Sequence, residues 1–305
     1  MRDFLGQHCF VIAEIGASHH QDFLTATNLV DVAIAAGADA VKVQMFKPDL
    51  LTINSDNDQF ILDDGPWAGA SLWDLYEQAY MPYEWVPILQ KKTLDAGKKF
   101  IASVYDTKTL EAAEKMEVPA YKIASFEAGE TDLLGAVAKT NKPVFVSVGT
   151  LSFKQIGNVR RIIDKLGLLK CVSEYPAPLE HMNLRTILDM RRNFGRHVGL
   201  SDHTTGIVAP VVAVSMGARI IEKHIKIDEG GLDSSFAVSP ERFRVMVEAV
   251  RAAELATGKV VYGGKSNIQR AVIDGKSVRI VRKDANYEKT DNKLREVREA
   301  QAVAS

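Results

Sequence analysis

Two histidines, His203 and His224, two lysines, Lys42 and Lys122, and five carboxylates, Glu14, Glu127, Asp202, Glu222 and Asp233, are the side chains of this sequence best suited to chemistry. Lys42 and Gln44 stand two residues apart, as do Glu222 and His224. In a strand, that spacing puts both members of a pair on one face. Two converging imidazoles suit a divalent metal, or simply two hydrogen-bonded histidines at a rim. Two lysines accompanied by the hydroxyls of Ser103, Ser125, Ser147 and Ser201 suit a phosphate and a carboxylate. Glu14, Glu127 or Glu222 can equally neutralise those lysines, and a buried lysine can instead form the Schiff base of an aldolase. The carboxylates suit general acid–base work, or pairing with the lysines and orientation of the histidines.

These residues fall at regular intervals along an alternating pattern. β-branched runs predict strands over 9–15, 40–45, 99–104, 120–124, 143–148, 168–173, 197–200 and 218–224. Amphipathic segments predict helices over 24–36, 83–96, 110–116, 133–139, 156–166, 184–192, 207–216 and 240–256. A long polar stretch, 46–70, interrupts the second unit. Eight βα units in one run fit a closed (β/α)8 TIM barrel over residues 1–258 better than an open doubly wound sheet. Residues 259–305 form a short C-terminal extension, with a hairpin around Asp274-Gly275 and a charged terminal helix or tail from 291.

A barrel of this kind carries its active site at the C-terminal ends of the strands. Glu14, Lys42 and Gln44, Ser103, Lys122, Ser147, Ser173 and Tyr175, Ser201, and Glu222 with His224 stand there, with Ser125, Glu127 and His203 just beyond. Such convergence of polar groups is hard to explain by packing, because charges are seldom buried without a partner. The residues therefore predict an enzyme acting on a polar, charged substrate.

Composition narrows the setting. The 305 residues are 46% hydrophobic and 25% charged, the balance of a globular chain with a large core. A net charge of −1 argues against a nucleic-acid binder. No apolar run is long enough to span a membrane and no signal peptide is evident. Two isolated cysteines, Cys9 and Cys171, exclude a disulfide framework. The expectation is a cytoplasmic protein.

The strings AEIGASHH (13–20), GADAVKVQMFK (37–47), YKIASFE (121–127), VSVGT (146–150), SEYPAPLEHMNL (173–184), GLSDHTTGI (199–207) and GARIIEKHIKID (217–228) resemble the sialic acid synthase (N-acetylneuraminate synthase) family. The resemblance runs in order from about residue 9 to 258. It implies condensation of phosphoenolpyruvate with an amino-sugar aldose of N-acylmannosamine type, giving a 2-keto-3-deoxy sugar acid and phosphate. It implies a divalent metal, Mn2+ foremost with Mg2+ or Co2+ as alternatives, held by His203 and His224. It assigns phosphoenolpyruvate to Lys42, Ser103, Lys122, Ser125, Ser147 and Ser201, and the sugar to Glu14, Gln44, Tyr175 and Asp233. On that footing Glu127 handles the proton of the attacking water, and Glu14 or Asp233 orients or protonates the sugar. A homodimer is implied as well.

The sequence departs from the family pattern in places. Ser18-His19-His20-Gln21 replaces an NHNG-like loop, and Asp233 is followed by Ser234 where a histidine is usual. Ser173 stands where relatives often carry Asn or Ser. The resemblance further implies a C-terminal antifreeze-like domain that lends an arginine to the partner's sugar site. Residues 259–305 do not resemble it, so the expectation is a sugar site partly absent or rebuilt. A silent barrel that binds a ligand or partner protein is the competing expectation outside enzymes.

Overall fold

The computed structural model describes residues 1–195, 197–261, 268–273 and 275–281. The chain divides into two units, Met1–Thr257 and Gly258–Ser305.

In the first unit, a short helix, α1 (Arg2–Leu5), leads into eight strands: β1 (Phe10–Glu14), β2 (Ala40–Met45), β3 (Lys99–Val104), β4 (Tyr121–Ile123), β5 (Val144–Ser147), β6 (Leu166–Cys171), β7 (Val198–Asp202) and β8 (Ile220–His224). Each strand pairs in parallel with the next, and β8 returns to β1, closing the barrel with Glu14 opposite His224. The predicted (β/α)8 barrel is the observed fold.

The crossovers are helical because their sequences carry both an apolar stripe and start signals. The first is α2 (Phe23–Ala35), whose N-cap Asp22 accepts the Thr25 amide at 2.7 Å. After β2 come α3 (Pro48–Leu51), α4 (Leu72–Ala79) and α5 (Val86–Asp95). The following crossovers are α6 (Thr107–Lys115), α7 (Thr131–Lys139), α8 (Phe153–Ile162), α9 (Thr186–Phe194), α10 (Val208–Ser215) and α11 (Pro240–Thr257). Asp106 and Thr109 form a capping box at the start of α6, as Ser152 and Gln155 do for α8.

Alternation along the strands sorts the core into two shells. Val11, Ala13, Val41 and Val43 pack outward against the helices. Phe10, Ile12, Ala40, Ile101, Ala120, Phe145, Leu169 and Ile220 point inward and fill the lower barrel, with Leu5 and the partly buried Met1 and Phe4 of the N-terminal segment packed against them. Gly199 belongs to the same inner face, where a Cβ would lie 2.1 Å from the Ile220 carbonyl oxygen. Only a bare Cα fits that approach of β7 to β8.

The inner layer above this plug is polar. One step further along each strand stand Glu14, Lys42, Ser103, Lys122, Ser147, Cys171, Ser201 and Glu222, all buried. The barrel is therefore an apolar stopper under a charged mouth.

Several boundaries differ from the sequence reading. β4 is only three residues long, β6 begins two residues earlier and ends at Cys171, and β7 continues through Asp202. Ser173 consequently lies in a loop. Helix α4 follows the polar stretch at 46–70 and was not predicted, because Ser71, its N-cap, sits in an otherwise turn-rich run. In the second unit, β9 (Ile268–Ile273) and β10 (Lys276–Val281) pair antiparallel as the anticipated hairpin. The terminal helix or tail expected from 291 lies outside the described residues.

Candidate active site

Barrel closure gathers charges that are far apart in the chain. Lys42 Nζ contacts Glu14 Oε2, lies 3.5 Å from Glu222 Oε1 and donates to Ser103 Oγ at 2.9 Å. Lys122 Nζ lies 3.6 Å from the same Glu222 oxygen, and Ser201 Oγ donates to it at 3.3 Å. Two lysines and two carboxylates thus balance one another in a buried layer.

The electrostatics follow. Burial pulls the Lys42 ammonium down, but Glu14 and Glu222 outweigh it and leave the group above its ordinary value. For Lys122 burial wins despite Glu222, and Lys42 adds repulsion, so it titrates below its ordinary value. Burial pushes Glu222 up, yet Lys122 and Lys42 overcome it and hold the carboxyl at about 2. Glu222 is therefore a fixed counter-charge.

The two histidines sit at the rim with ring centroids 5.6 Å apart. His203 Nδ1 lies 2.8 Å from the Val172 carbonyl oxygen, which can only accept, so Nδ1 carries the proton. His224 Nδ1 lies 2.8 Å from Asp233 Oδ2. Burial raises the Asp233 carboxyl, but His224 and the Ala17 amide outweigh it and keep it ionised and accepting. In the neutral imidazoles both Nε2 lone pairs are left free, the arrangement of histidines prepared as metal ligands. Among the described residues no three His, Cys, Asp or Glu side chains form a complete metal cluster. The two Nε2 donors are the groups of this rim that could hold a divalent ion.

Asp233 reaches this position because residue 16 is glycine. Gly16 has φ +45°, and a Cβ there would lie 2.0 Å from Asp233 Oδ2. The same turn lets the Gly16 amide donate to Glu14 Oε1 at 2.6 Å.

The remaining predicted residues take distinct places. Ser125 Oγ accepts the Thr150 amide at 3.1 Å. Ser147 Oγ and Ser173 Oγ are buried without a hydrogen-bond partner, as is Glu127 Oε2. Glu127 opens a turn after β4, and burial raises its carboxyl against the pull of Lys122. Gln44 pairs in register with Ser103 and is half-buried. The Tyr175 ring lies tilted against His203, with centroids 4.4 Å apart. Asp202 does not join the mouth. It faces outward, bound to Lys223 Nζ at 2.7 Å and to the Thr204 amide at 3.0 Å, and braces the loop that carries His203.

Sequence reasoning missed the aromatic groups around the site. Phe236 lies 4.8 Å from His224 and 5.9 Å from His203, centroid to centroid. Trp67 lies 5.7 Å from Tyr175. Tyr105 immediately follows β3, a position that marks the barrel mouth, and its hydroxyl is raised by burial and then by the charges of Glu127 and Glu14. Phe236 and Trp67 sit in long loops with no periodic signal.

With that geometry in place, residues 29–262 match the NeuB family. The chain belongs to the NeuB family. It is 38% identical over 271 residues to the pseudaminic acid synthase of Campylobacter jejuni, covering 87% of this chain and 78% of that one. It is 36% identical over 258 residues to the pseudaminic acid synthase of Helicobacter pylori, covering 82% and 75%. Among solved structures, the N-acetylneuraminic acid synthetase of Leptospira borgpetersenii, in complex with citrate, superposes with a TM-score of 0.76 at 27% identity, covering 85% of this chain and 88% of that one. The resemblance to sialic acid synthases read from the sequence is thus the family of the chain, and the NeuB-family barrel is an enzyme's catalytic barrel. Among its described residues no helix is long and apolar enough to cross a membrane.

Proposed function

We propose that this NeuB-family enzyme condenses phosphoenolpyruvate with an N-acylated amino-sugar aldose, releasing phosphate and forming a 2-keto-3-deoxy sugar acid. The observation that carries the reading is the buried Lys42–Glu14–Glu222–Lys122 cluster flanked by the unpartnered Ser147 hydroxyl. An anion entering between the lysines replaces carboxylate contacts with charge-assisted bonds to phosphate and carboxylate oxygens. Ser103 and Ser201, already bonded to Lys42 and Glu222, and Ser125 beside them complete the cradle.

The chain's own groups divide the work. Carbon 3 of phosphoenolpyruvate attacks the sugar aldehyde, water adds at carbon 2, and the tetrahedral intermediate expels phosphate. Lys42 and Lys122 stay close to the charge that builds on the phosphate and carboxylate oxygens. Glu127, with one unpartnered oxygen and a carboxyl raised by burial, takes the proton of the attacking water. Tyr175, Gln44 and Asp233 face the sugar, with Glu14 beneath them. Nε2 of His203 and His224 would hold a divalent cation, Mn2+ before Mg2+ or Co2+, which would supply Lewis acidity for activating the aldehyde. The enzyme is cytoplasmic and works as a homodimer, which light scattering of the purified protein checks.

The test is phosphate release from phosphoenolpyruvate with Mn2+, across N-acyl hexosamines and simple aldoses, with and without EDTA. Release that needs both an aldose and the metal is the expected result. Binding of phosphoenolpyruvate and Mn2+ with no release for any aldose overturns the reading in favour of a silent barrel. Condensation of pyruvate with an aldose that survives EDTA, with borohydride trapping of a lysine and no phosphate released, overturns it in favour of a Schiff-base aldolase.

A further inference from the structure

The polar mouth has an aromatic edge in which Tyr175 is joined by Trp67 and Phe236. Trp67 closes a short 3-10 turn, Gly65–Trp67, at the tip of a loop whose ends are bridged by Ile61 and Ser71. Two inner hydrogen bonds hold that loop, Leu62 amide to Ala70 carbonyl at 3.0 Å and Gly69 amide to Leu62 carbonyl at 2.8 Å. The loop is thus self-supporting, and it delivers a half-buried indole to the opposite side of the mouth.

There the indole makes three contacts. Its Nε1–H donates to the Leu232 carbonyl at 3.0 Å, one residue before Asp233. Its ring lies 5.7 Å from Tyr175 and 6.1 Å from Phe236. Tyr175 and Phe236 in turn contact each other at 5.0 Å and cover His203 and His224. The result is a continuous aromatic wall beside the rim histidines.

The carboxylate nearest in the chain to the indole's anchor is Asp233, one residue after Leu232. Lys226, on the same loop as Asp233, is taken by Glu229 at 2.5 Å and the Ser234 carbonyl at 2.7 Å. Lys42 and Lys122 are held on the far side by Glu14 and Glu222. A phosphate placed on the indole, at the end of the acceptor away from the rim histidines, would meet ring faces and the Asp233 carboxylate, with its charge unpaired. A sugar's C–H face would gain apolar contact with the indole and lose little solvation.

We propose that Trp67 is a specificity-determining residue of the acceptor site, its indole packing against the C–H face of an uncharged aldose and rejecting one that bears a phosphate. The inference rests on the synthase reading above and deepens it, because it says which acceptors the site takes. The latch to Leu232 also couples the wall to Asp233, so the indole sets the width of the acceptor pocket.

The experiment follows phosphate release from phosphoenolpyruvate with Mn2+ for the wild type, Trp67→Ala and Trp67→Phe. The acceptors are uncharged N-acyl hexosamines, N-acetylmannosamine among them, each paired with its 6-phosphate. The wild type is expected to prefer the uncharged member by about tenfold or more in kcat/KM. Trp67→Ala is expected to raise KM for that acceptor about tenfold, the worth of roughly 1.4 kcal/mol of ring contact, to leave KM for phosphoenolpyruvate within about twofold and to weaken the discrimination. Trp67→Phe keeps a ring without the N–H donor, so its acceptor KM falls between the two. Thermal melts of the variants separate a lost contact from a lost fold. A wild type that prefers the 6-phosphate, or a Trp67→Ala enzyme whose two KM values move together, overturns this inference and leaves the synthase intact. No release from the wild type with any aldose overturns the synthase reading, and the inference with it.

Discussion

Asp233 and His224 are joined by a 2.8 Å contact from Oδ2 to Nδ1, and the same carboxylate oxygen accepts the Ala17 amide at 3.0 Å. One oxygen therefore orients a rim histidine and ties the loop after β8 to the loop after β1. Asp233→Asn keeps the shape but removes the charge that holds His224 in one tautomer. Loss of such a support costs about 10- to 100-fold in metal affinity or activity. Mn2+ titration by calorimetry, read beside kcat/KM, is expected to show a loss of that size. Unchanged Mn2+ affinity would separate Asp233 from the proposed metal site.

Gly16→Ala tests the neighbouring close approach. A methyl at φ +45° would press on Asp233 Oδ2 at 2.0 Å, a distance real contacts do not reach. The variant must displace the carboxylate or shift the turn, and it also adopts a backbone region that costs about 1 kcal/mol or more for a residue other than glycine. The expected outcome is a melting point lower by about 2–4 °C per kcal/mol, together with a fall in kcat/KM. Wild-type activity would mean the Asp233 position is not critical.

Glu222 gives a pH signature. Its carboxyl is held at about 2 in the fold against an ordinary 4.5, because Lys122 and Lys42 overcome burial. A carboxyl depressed on folding stabilises the protein fully above the unfolded value, and that contribution is lost as pH falls from about 4.5 to about 2. Glu222→Gln leaves two buried lysines short of a partner and should cost about 3–5 kcal/mol near pH 7. The gap between wild type and variant in urea melts is expected to shrink as the pH drops through that window. A gap that stays constant with pH would mean the lysines are neutralised elsewhere.

His19 acts at a milder pH. Burial lowers its imidazole from 6.5 to about 4, against a raising pull from Asp233. The unfolded chain binds this proton more readily than the folded one, so stability is full above pH 6.5 and declines toward pH 4. His19→Gln removes the titrating group. Its stability curve should be flatter than that of the wild type between those limits. Parallel curves would assign the imidazole an ordinary pKa.

Much of this protein was legible in one dimension because strand alternation and helix periodicity are local. Glu222 and His224 flank Lys223, so two residues facing inward and one outward follow from the period of the strand alone. The eight βα units predicted the barrel, and the barrel told which strand ends to inspect. That points to Lys42, Lys122, Ser147, Ser201 and both histidines as residues of the barrel mouth, where the fold places them. Tertiary structure decided how these groups pair. That Glu14 meets Lys42, that Glu222 stands between two lysines, and that His203 and His224 both present Nε2 depend on register and on closure of β8 against β1. The aromatic wall was hidden for the same reason. Trp67 and Phe236 lie in loops whose sequences carry no period, and loops far apart in the chain become neighbours only when a closed sheet brings their ends to one rim.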